Sequence, residues 1–247
     1  MLTGKTALIT GGSSGIGLAA ARRLIADGAR VAISGTDEAK LEAAQRELGG
    51  ETVAIRADVR SLADLKAMAK QAADAFGTID ILFANAGAAY GTPIATTEEE
   101  AFDRLMDINV KGVFFTVQSV LPVMADGGSI ILNTSWLNKV GTPGRAALSA
   151  SKAAVRSFAR TLSAELTDRK IRVNCVSPGP TDTPIHHSAG QTADDYKAYT
   201  ERVGARVPAG RMGRPEEIAA AVAFLASDQS SFMLGTEILL DGGLAEL

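Results

Sequence analysis

Cysteine is almost absent from this chain of 247 residues. The single Cys175 excludes an intramolecular disulfide, and it lies in the apolar stretch 171–176, where a thiol usually serves as packing. Apolar runs long enough for a membrane helix, roughly 20 residues, are also missing. Met1 leads into the stretch 5–9 without a cleavable signal pattern. We therefore expect a cytoplasmic protein with no membrane partner.

Positive charge is not in excess either. The net charge is -3 and the pI is about 5.5, and no Lys/Arg run is interleaved with aromatic residues. This excludes an electrostatic surface for nucleic acid. The only histidines, His186 and His187, are adjacent and lack ligand partners at useful spacing, so we expect no metal site.

Apolar residues are abundant, at 46% of the chain, and no polar linker divides it. We expect one domain, 1–247, of the α/β class. Apolar runs alternate with Ala-rich segments of helical period, which predicts a doubly wound, Rossmann-type parallel sheet of about seven strands with helices on both faces. The predicted strands are 6–10, 30–34, 53–57, 81–84, 129–134, 172–177 and 237–240. The predicted helices are 18–26, 39–48, 62–76, 101–124, 150–166 and 216–226.

The segment 178–209 interrupts this alternation. It carries proline, glycine, two histidines and two tyrosines, and it is too long for a simple connection. We interpret it as a lid over the substrate, with one short helix over 194–203. Tyr196 and Tyr199 are expected to pack on one face of that helix.

A glycine-rich loop joins the first strand to the first helix: Thr10-Gly11-Gly12-Ser13-Ser14-Gly15-Ile16-Gly17. Glycine lets the backbone turn tightly and approach a pyrophosphate, which the free N–H groups and the helix dipole then bind. A predicted strand precedes this loop and a predicted helix follows it, and this context indicates a dinucleotide-binding site.

The end of the second strand bears on the choice between NAD and NADP. An NAD-binding protein usually places Asp or Glu there, which accepts from the ribose 2′-hydroxyl. This chain has Ser34-Gly35-Thr36 instead, and the two hydroxyls favour NADP, with NAD as the alternative. Asp37 and Glu38 are interpreted as a helix cap and first-turn charge.

With these motifs the sequence resembles the short-chain dehydrogenase/reductases over essentially its whole length. The resemblance implies hydride transfer with a nicotinamide cofactor and a homotetramer whose contacts include the end of the chain, 213–243. It also implies cofactor contacts at Gly11, Ser13, Ser14, Gly15, Ile16, Gly17, Ser34, Thr36, Asp58, Val59, Asn85, Ala86, Gly87, Lys152, Pro178, Gly179, Thr181 and Thr183.

The resemblance also implies a reacting centre of serine, a tyrosine thirteen residues later, a lysine four beyond it, and an earlier asparagine. Ser135, Lys152 and Asn109 match three of these, but the tyrosine position holds Leu148. Leucine has no titratable proton, so the usual acid/base route is closed. Because a positioned general acid contributes roughly 10² to 10⁴ in rate, weak activity remains compatible with the substitution.

Three explanations of Leu148 stay open. The chain is a native enzyme whose proton comes from elsewhere, such as a water held by Lys152 and Asn109. Alternatively, a tyrosine has been replaced deliberately to trap a complex or redirect the reaction, or the chain binds cofactor without turnover. Residues expected around the substrate are Tyr90, Trp136, Leu137, Leu148 and His186, and Arg145 is weighed as a contact for an acidic substrate against a solvated surface charge.

Overall fold

The computed structural model describes residues 2–49, 51–186 and 192–247. Seven parallel strands form one sheet in the order β3-β2-β1-β4-β5-β6-β7. The strands are β1 (Thr6–Thr10), β2 (Arg30–Gly35), β3 (Val53–Arg56), β4 (Ile79–Ala84), β5 (Met124–Asn133), β6 (Arg172–Pro178) and β7 (Glu237–Leu240). The predicted doubly wound sheet is confirmed. The strand order reverses between β1 and β4, which is where such sheets bind ligands.

Eight α-helices are found in the described chain. They are α1 (Gly15–Ala26), α2 (Glu38–Leu48), α3 (Leu62–Phe76), α4 (Glu99–Met106), α5 (Gly112–Val120), α6 (Ala146–Glu165), α7 (Ala193–Gly204) and α8 (Pro215–Ala226). Helices α1, α2 and α8 cover one face of the sheet, and α3, α5 and α6 cover the other. Each face of the sheet has its own apolar core, and successive residues of a strand point into opposite cores. In β1, Leu8 packs on the α3 side, whereas Ala7 and Ile9 pack on the α1 side. This is why the strands are rich in apolar residues on both faces.

The prediction of a single helix over 101–124 is wrong. The segment contains α4, a π-helical turn at Asp107–Lys111, α5 and a short 3-10 turn at Leu121–Val123. Pro122 lies in that last turn, and Met124 already belongs to β5. The wider π turn interrupts the regular helix around the buried Asn109, as such turns often do near functional sites.

Helix α6 begins four residues earlier than predicted, at Ala146 instead of residue 150. Leu148 and Lys152 consequently lie on the same helix, four residues apart and on one face. Cys175 is fully buried in β6, and burial raises the pKa of its thiol to about 12. It therefore serves as packing, as the sequence predicts. No helix among the described residues is both long and apolar enough to cross a bilayer.

Candidate functional site

One cavity of about 660 Å³ opens at the carboxyl ends of the strands. The loops after β1, β4, β5 and β6 line it together with α6 and α7. Of the residues predicted for the site, it brings together Gly11, Ser14, Gly15, Ile16, Asn85, Ala86, Gly87, Ser135, Trp136, Leu137, Leu148, Lys152, Pro178, Gly179, Thr181, Thr183 and His186. The remaining predicted residues are not among its lining residues.

The glycine loop is shaped by contacts that exclude side chains. Gly11 and Gly15 have φ angles of +65° and +53°, in the left-handed region that glycine tolerates. A Cβ added at Gly17 would stand 2.2 Å from the carbonyl oxygen of Gly11 and 2.7 Å from Nδ2 of Asn85. The loop therefore folds tightly back onto the start of α1.

The first turn of α1 presents backbone donors to the cavity. Ser14 is the N-cap residue, but its side chain makes no capping hydrogen bond, and the first turn contains no acidic residue. The N–H groups of a helix's first turn have no partner inside the helix, and the helix dipole adds partial positive charge there. These features fit a ligand that carries phosphate groups.

A chain of side-chain hydrogen bonds connects this loop to α6. Asn85 donates from Nδ2 to the carbonyl oxygens of Thr10 at 3.0 Å and Gly11 at 3.2 Å. Asn133 donates from Nδ2 to Oδ1 of Asn85 at 2.8 Å, and Lys152 donates from Nζ to the carbonyl oxygen of Asn133 at 3.0 Å. The glycine loop, the ends of β4 and β5, and α6 are thereby held in one arrangement.

Asn133, at the end of β5, was missed by the sequence reasoning. It lines the cavity, and its buried Oδ1 has no hydrogen-bond partner within the described ranges. A buried acceptor without a partner is costly, so a ligand that donates a hydrogen bond here would be favoured. The position fits a ribose hydroxyl or a carboxamide N–H.

Lys152 is the titratable group at the centre of the cavity. Its burial lowers the pKa of the ammonium to about 8, and the nearby Cys175 opposes this shift only in part. Lys152 is therefore mostly protonated at neutral pH, and its charge acts in a poorly solvated site. Such a charge stabilises a neighbouring anion strongly.

Asn109 is 1% exposed and does not line the cavity. Its Oδ1 accepts from the backbone N–H of Ala88 at 2.8 Å. Its Nδ2 donates to the carbonyl oxygen of Ala88 at 3.0 Å and to Oγ of Ser151 at 3.2 Å. Both amide hydrogens are thus in use, so Asn109 fixes the segment after β4 and has no donor left to hold a proton-supplying water.

Ser135 begins a short 3-10 turn, Trp136–Asn138, directly after β5. Its Oγ accepts from the backbone N–H of Leu137 at 3.3 Å. Because that N–H occupies one acceptor position, the hydroxyl hydrogen of Ser135 is left to donate elsewhere. Ser135 lines the cavity, where a substrate oxygen is available as acceptor.

A buried ion pair supports this turn from below, and the sequence reasoning missed it. Glu237 and Arg156 have side chains only 9% and 14% exposed, with Oε2 and Nε 3.3 Å apart. Oε1 of Glu237 accepts from Nδ2 of Asn138 at 2.6 Å and from the hydroxyl of Ser177. Burial opposes ionisation of Glu237, but these hydrogen bonds and the charge of Arg156 outweigh it and lower its pKa.

We expect Glu237→Gln to destabilise the fold by about 3 kcal/mol, because it leaves Arg156 buried without a counter-charge. The melting temperature should fall by roughly 6–12 °C at pH 7. The pKa of Glu237 is lower in the folded chain than its ordinary value of about 4.3. The contribution of ionised Glu237 to the free energy of unfolding is therefore complete above a pH of about 4.3, its ordinary pKa. It is lost as the pH falls through the lower pKa of Glu237 in the folded chain.

Thermal unfolding followed by circular dichroism at pH 7 and at pH 3.5 measures this difference. The gap between parent and variant should narrow at the lower pH. A double variant, Glu237→Gln with Arg156→Met, should recover part of the loss. Equal melting temperatures of the parent and Glu237→Gln at pH 7 would show that the pair contributes no net stability.

The substrate end of the cavity is apolar. Leu148 is 3% exposed and packs with Leu137 and Trp136. Tyr90 lies behind this wall, not in it as predicted: its ring packs on the same cluster, and its hydroxyl donates to the carbonyl oxygen of Ala101 at 2.7 Å. The side chain at position 148 therefore faces the cavity beside Ser135 and Lys152 without any polar group.

At the end of β2, the structure agrees with only part of the sequence interpretation. Ser34 is 1% exposed, so its hydroxyl is enclosed in the sheet, whereas Thr36 is exposed. Asp37 caps α2 by accepting from the backbone N–H of Lys40 at 3.1 Å, as predicted, and this bond lowers the pKa of its carboxyl. Lys40, which the sequence reasoning missed, lines the cavity.

Asp58 and Val59 lie near the cavity but do not line it. The carboxylate of Asp58 is paired with Arg60, with both oxygens 3.0 Å from Nε, and this lowers its pKa. Val59 packs against Gly112 at the start of α5. Ser13 and Gly17 shape the loop without lining the cavity.

The segment after β6 contributes two further residues to the cavity lining. His186 and Tyr199 both line it, and Nδ1 of His186 lies 3.1 Å from the hydroxyl of Tyr199. Tyr196 stacks on Tyr199 with ring centres 6.2 Å apart, and its hydroxyl donates to Asp182. Packing of both tyrosines on α7 is confirmed, but Tyr199 also faces the cavity. His187 lies outside the described residues.

Comparison with known proteins supports the architecture. Residues 11–245 match the family model described as enoyl-(acyl carrier protein) reductase. Oxidoreductase asL5 of Sarocladium schorii is 44% identical over 249 residues, which cover all of this chain and 98% of the relative. The 3-oxoacyl-[acyl-carrier-protein] reductase FabG of Thermotoga maritima is 36% identical over 248 residues, covering 98% of each chain.

Solved structures agree with this. A mutant of a Serratia marcescens short-chain dehydrogenase/reductase superposes with a TM-score of 0.90 at 34% identity, covering 99% of each chain. The 3-ketoacyl-(acyl-carrier-protein) reductase of Brucella melitensis complexed with NADH superposes with a TM-score of 0.91 at 32% identity, covering 99% of this chain and all of the other. The protein therefore belongs to the short-chain dehydrogenase/reductase family of oxidoreductases.

Proposed function

We propose that the protein is an NADP-dependent oxidoreductase that transfers hydride to or from a small carbonyl, alcohol, imine or alkene substrate. Its usual tyrosine is replaced by Leu148. The observation that carries the proposal is the single cavity shared by the glycine loop, Ser135 and Lys152. The family relatives that are named as reductases, and the relative complexed with NADH, support a nicotinamide cofactor.

The chain's own groups divide into two sets. The loop 11–17 and the first turn of α1 would hold the diphosphate, and Lys152 and Asn133 would hold the ribose and carboxamide next to it. The segment from Pro178 to Thr183 would close over the nicotinamide. When bound, this cofactor supplies or accepts the hydride.

At the reacting end, Ser135 would donate a hydrogen bond to the substrate oxygen, and the charge of Lys152 would stabilise negative charge developing there. Leu148 and Trp136 would exclude bulk water from this oxygen. With no phenol at position 148, the proton would come from a water beside Lys152 or from the pair His186 and Tyr199. The cofactor would still lie next to the substrate, and Lys152 would still stabilise negative charge on the substrate oxygen. Slow turnover would therefore continue without the phenol.

Two measurements test the proposal. NADPH and NADH are titrated by fluorescence, and their oxidation is then followed with ketones, imines and activated alkenes. We expect NADPH to bind in the micromolar range, with turnover of at least one class. Absence of binding by either nucleotide at millimolar concentration would overturn the proposal.

The preference for NADP rests on Lys40, which lines the cavity; its Nζ lies 3.4 Å from Oδ2 of Asp37 in an exposed ion pair, and Asp37 also caps α2. A 2′-phosphate would meet the ammonium group of Lys40 and the hydroxyl of Thr36. We expect Lys40→Ala to weaken NADPH binding about tenfold, the effect of losing one exposed charged hydrogen bond. NADH affinity serves as the internal control and should change less than twofold; equal losses for both nucleotides would contradict the assignment.

A second candidate is a binding protein without turnover. The apolar wall at Leu148 favours it, since the side chain there carries no proton. Both candidates bind NADPH, but only the enzyme oxidises it. Tight binding with no oxidation across all three substrate classes would select the second.

We also propose that the protein is a cytoplasmic homotetramer. Phe114, Phe232 and Leu234 are 37%, 101% and 54% exposed in the single chain, and assembly would cover such apolar side chains. Size-exclusion chromatography with light scattering measures the assembly, and a stable monomer would contradict it.

A further inference from the structure

The cavity has a charge bias that the chain as a whole does not have. Basic side chains of Lys40, Arg145, Lys152 and Arg206 line it, and no Asp or Glu is among its lining residues in the described chain. The residues outside the described ranges, Met1, Gly50 and 187–191, are not acidic either. Because the whole protein carries a net charge of -3, this concentration of positive charge favours an anionic ligand.

Only two of these four basic side chains would contact the proposed cofactor. Lys40 lies on α2 after the second strand, where the 2′-phosphate would bind, and Lys152 would contact the nicotinamide ribose. Arg145 and Arg206 have no role toward the cofactor. They lie at the ends of the helices that form the substrate end: Arg145 immediately precedes α6, and Arg206 follows α7.

Arg145 lies on the stripe of α6 that faces the cavity. It immediately precedes the helix, and Leu148 and Lys152 follow at intervals of three and four residues. Residues at this spacing share one helix face. At a rise of 1.5 Å per residue, Arg145 is about 4.5 Å along the axis from Leu148. All three side chains line the cavity.

Arg206 lines the same cavity from the segment just after α7. Tyr199 and Val203 line it from α7, and Arg206 follows Val203 by three residues, with its backbone N–H donating to the carbonyl oxygen of Val203 at 3.1 Å. The stripe therefore continues one turn beyond the helix. Arg145 and Arg206 thus line the same cavity as the apolar wall formed by Leu148 and Trp136.

Neither arginine is paired with a carboxylate in the part of the chain that the structure describes. Of the sixteen arginines, nine lie within 4.0 Å of an Asp or Glu: Arg22, Arg23, Arg46, Arg56, Arg60, Arg156, Arg169, Arg211 and Arg214. Five more are likewise without such a pair in the described ranges, namely Arg30, Arg104, Arg160, Arg172 and Arg202, but none of these five lines the cavity. A guanidinium remains charged at every physiological pH, and its planar donors match a carboxylate in two-point contact. Arg145 and Arg206 keep these donors for a ligand.

We propose that Arg145, assisted by Arg206, binds the carboxylate of the substrate, so that the substrate class is a small oxo acid or the corresponding hydroxy acid. The proposal rests on the proposed function and specifies its substrate. Trp136 and Leu148 contact the carbon skeleton between the carboxylate and the reacting oxygen. The carboxylate then positions the carbonyl group beside Ser135.

Trp136 provides a direct readout of binding, since it is the only tryptophan in the chain and it lines the cavity. Its fluorescence is followed while NADP⁺-saturated protein is titrated with 4-oxopentanoate or with its methyl ester. The two probes share a ketone three bonds from the carboxyl carbon and differ in charge. We expect the acid to bind at least tenfold more tightly than the ester.

Substitutions test whether Arg145 and Arg206 cause the preference for the acid over the ester. Arg145→Met should weaken binding of the acid about tenfold and leave the ester unchanged, Arg145→Lys should be intermediate, and Arg206→Met should show a smaller loss of the same kind. The matched control is Arg160→Met, which removes the same charge from an exposed position of α6 outside the cavity lining. It should bind both probes as the parent does.

Equal binding of acid and ester by the parent, or an unchanged acid affinity in Arg145→Met, would overturn the proposal. Failure of the proposed function gives a different result, namely no NADP⁺ binding or no NADPH oxidation. Because the readout is binding, the titration is repeated without cofactor. Selective binding of the acid that depends on Arg145 then supports the subsite even where turnover fails.

Discussion

Leu148→Tyr is expected to raise kcat/KM for NADPH-dependent ketone reduction by at least tenfold. The gain should reach about 100-fold if Ser135 contacts the substrate oxygen and Lys152 lies beside the new phenol. A tyrosine at this position would lie one helical turn before Lys152 and face the same cavity. The protonated lysine would lower the pKa of the phenol, which makes it an effective proton donor to the substrate oxygen. A 100-fold gain corresponds to about 2.7 kcal/mol of barrier.

Leu148→Phe is the matched control for this gain. It adds the same ring to the same apolar wall but no hydroxyl group, so any change that it shares with Leu148→Tyr comes from packing. Steady-state oxidation of NADPH at 340 nm measures both variants, and melting temperatures verify that both are folded. Equal activity of the folded tyrosine and phenylalanine variants would contradict proton transfer at this position.

Gly17→Ala is expected to weaken NADPH binding by at least 100-fold. A Cβ at this position would stand 2.2 Å from the carbonyl oxygen of Gly11, a backbone atom that cannot rotate away. The loop must then open, and its N–H groups lose their common direction toward the diphosphate. Fluorescence titration with NADPH measures the loss.

Gly141→Ala separates this effect from the general cost of replacing glycine. A Cβ at Gly141 would meet no atom within 4 Å beyond its neighbours in the chain, so alanine fits there without displacement. We expect parent-like NADPH affinity from this variant. Gly17→Ala with the parent's affinity would show that the diphosphate does not depend on the shape of this loop.

The fold was largely predictable because both faces of the sheet are covered. Strands buried on two sides are mostly apolar and β-branched, which separates them clearly from the Ala-rich helices. The long segment from Ala101 to Met124 could not be divided correctly, since its apolar spacing does not reveal the π turn around Asn109. Only Pro122 marked the end of the helical region.

The resemblance supplied many of the residues that line the cavity, such as Asn85 and Ser135, but it did not supply Asn133 and Thr134 at the end of β5. Tyr90 was misplaced because its distance along the chain from Asn85 says nothing about the direction of its ring. Lys40 and Tyr199 lie on helices whose rotation toward the cavity is set by packing. Glu237 did carry a usable signal: it is a carboxylate in an otherwise apolar strand, a position that requires a buried partner.

The burial of Cys175 gives this protein a built-in reporter of local opening. Alkylating reagents attack the thiolate, and the raised pKa leaves almost none of it at neutral pH while β6 stays paired on both sides. The rate at which this sulfur is modified therefore reports how often β6 separates from β5 or from the edge strand β7. That rate measures how strongly any bound molecule clamps the strands together, even one that is never converted.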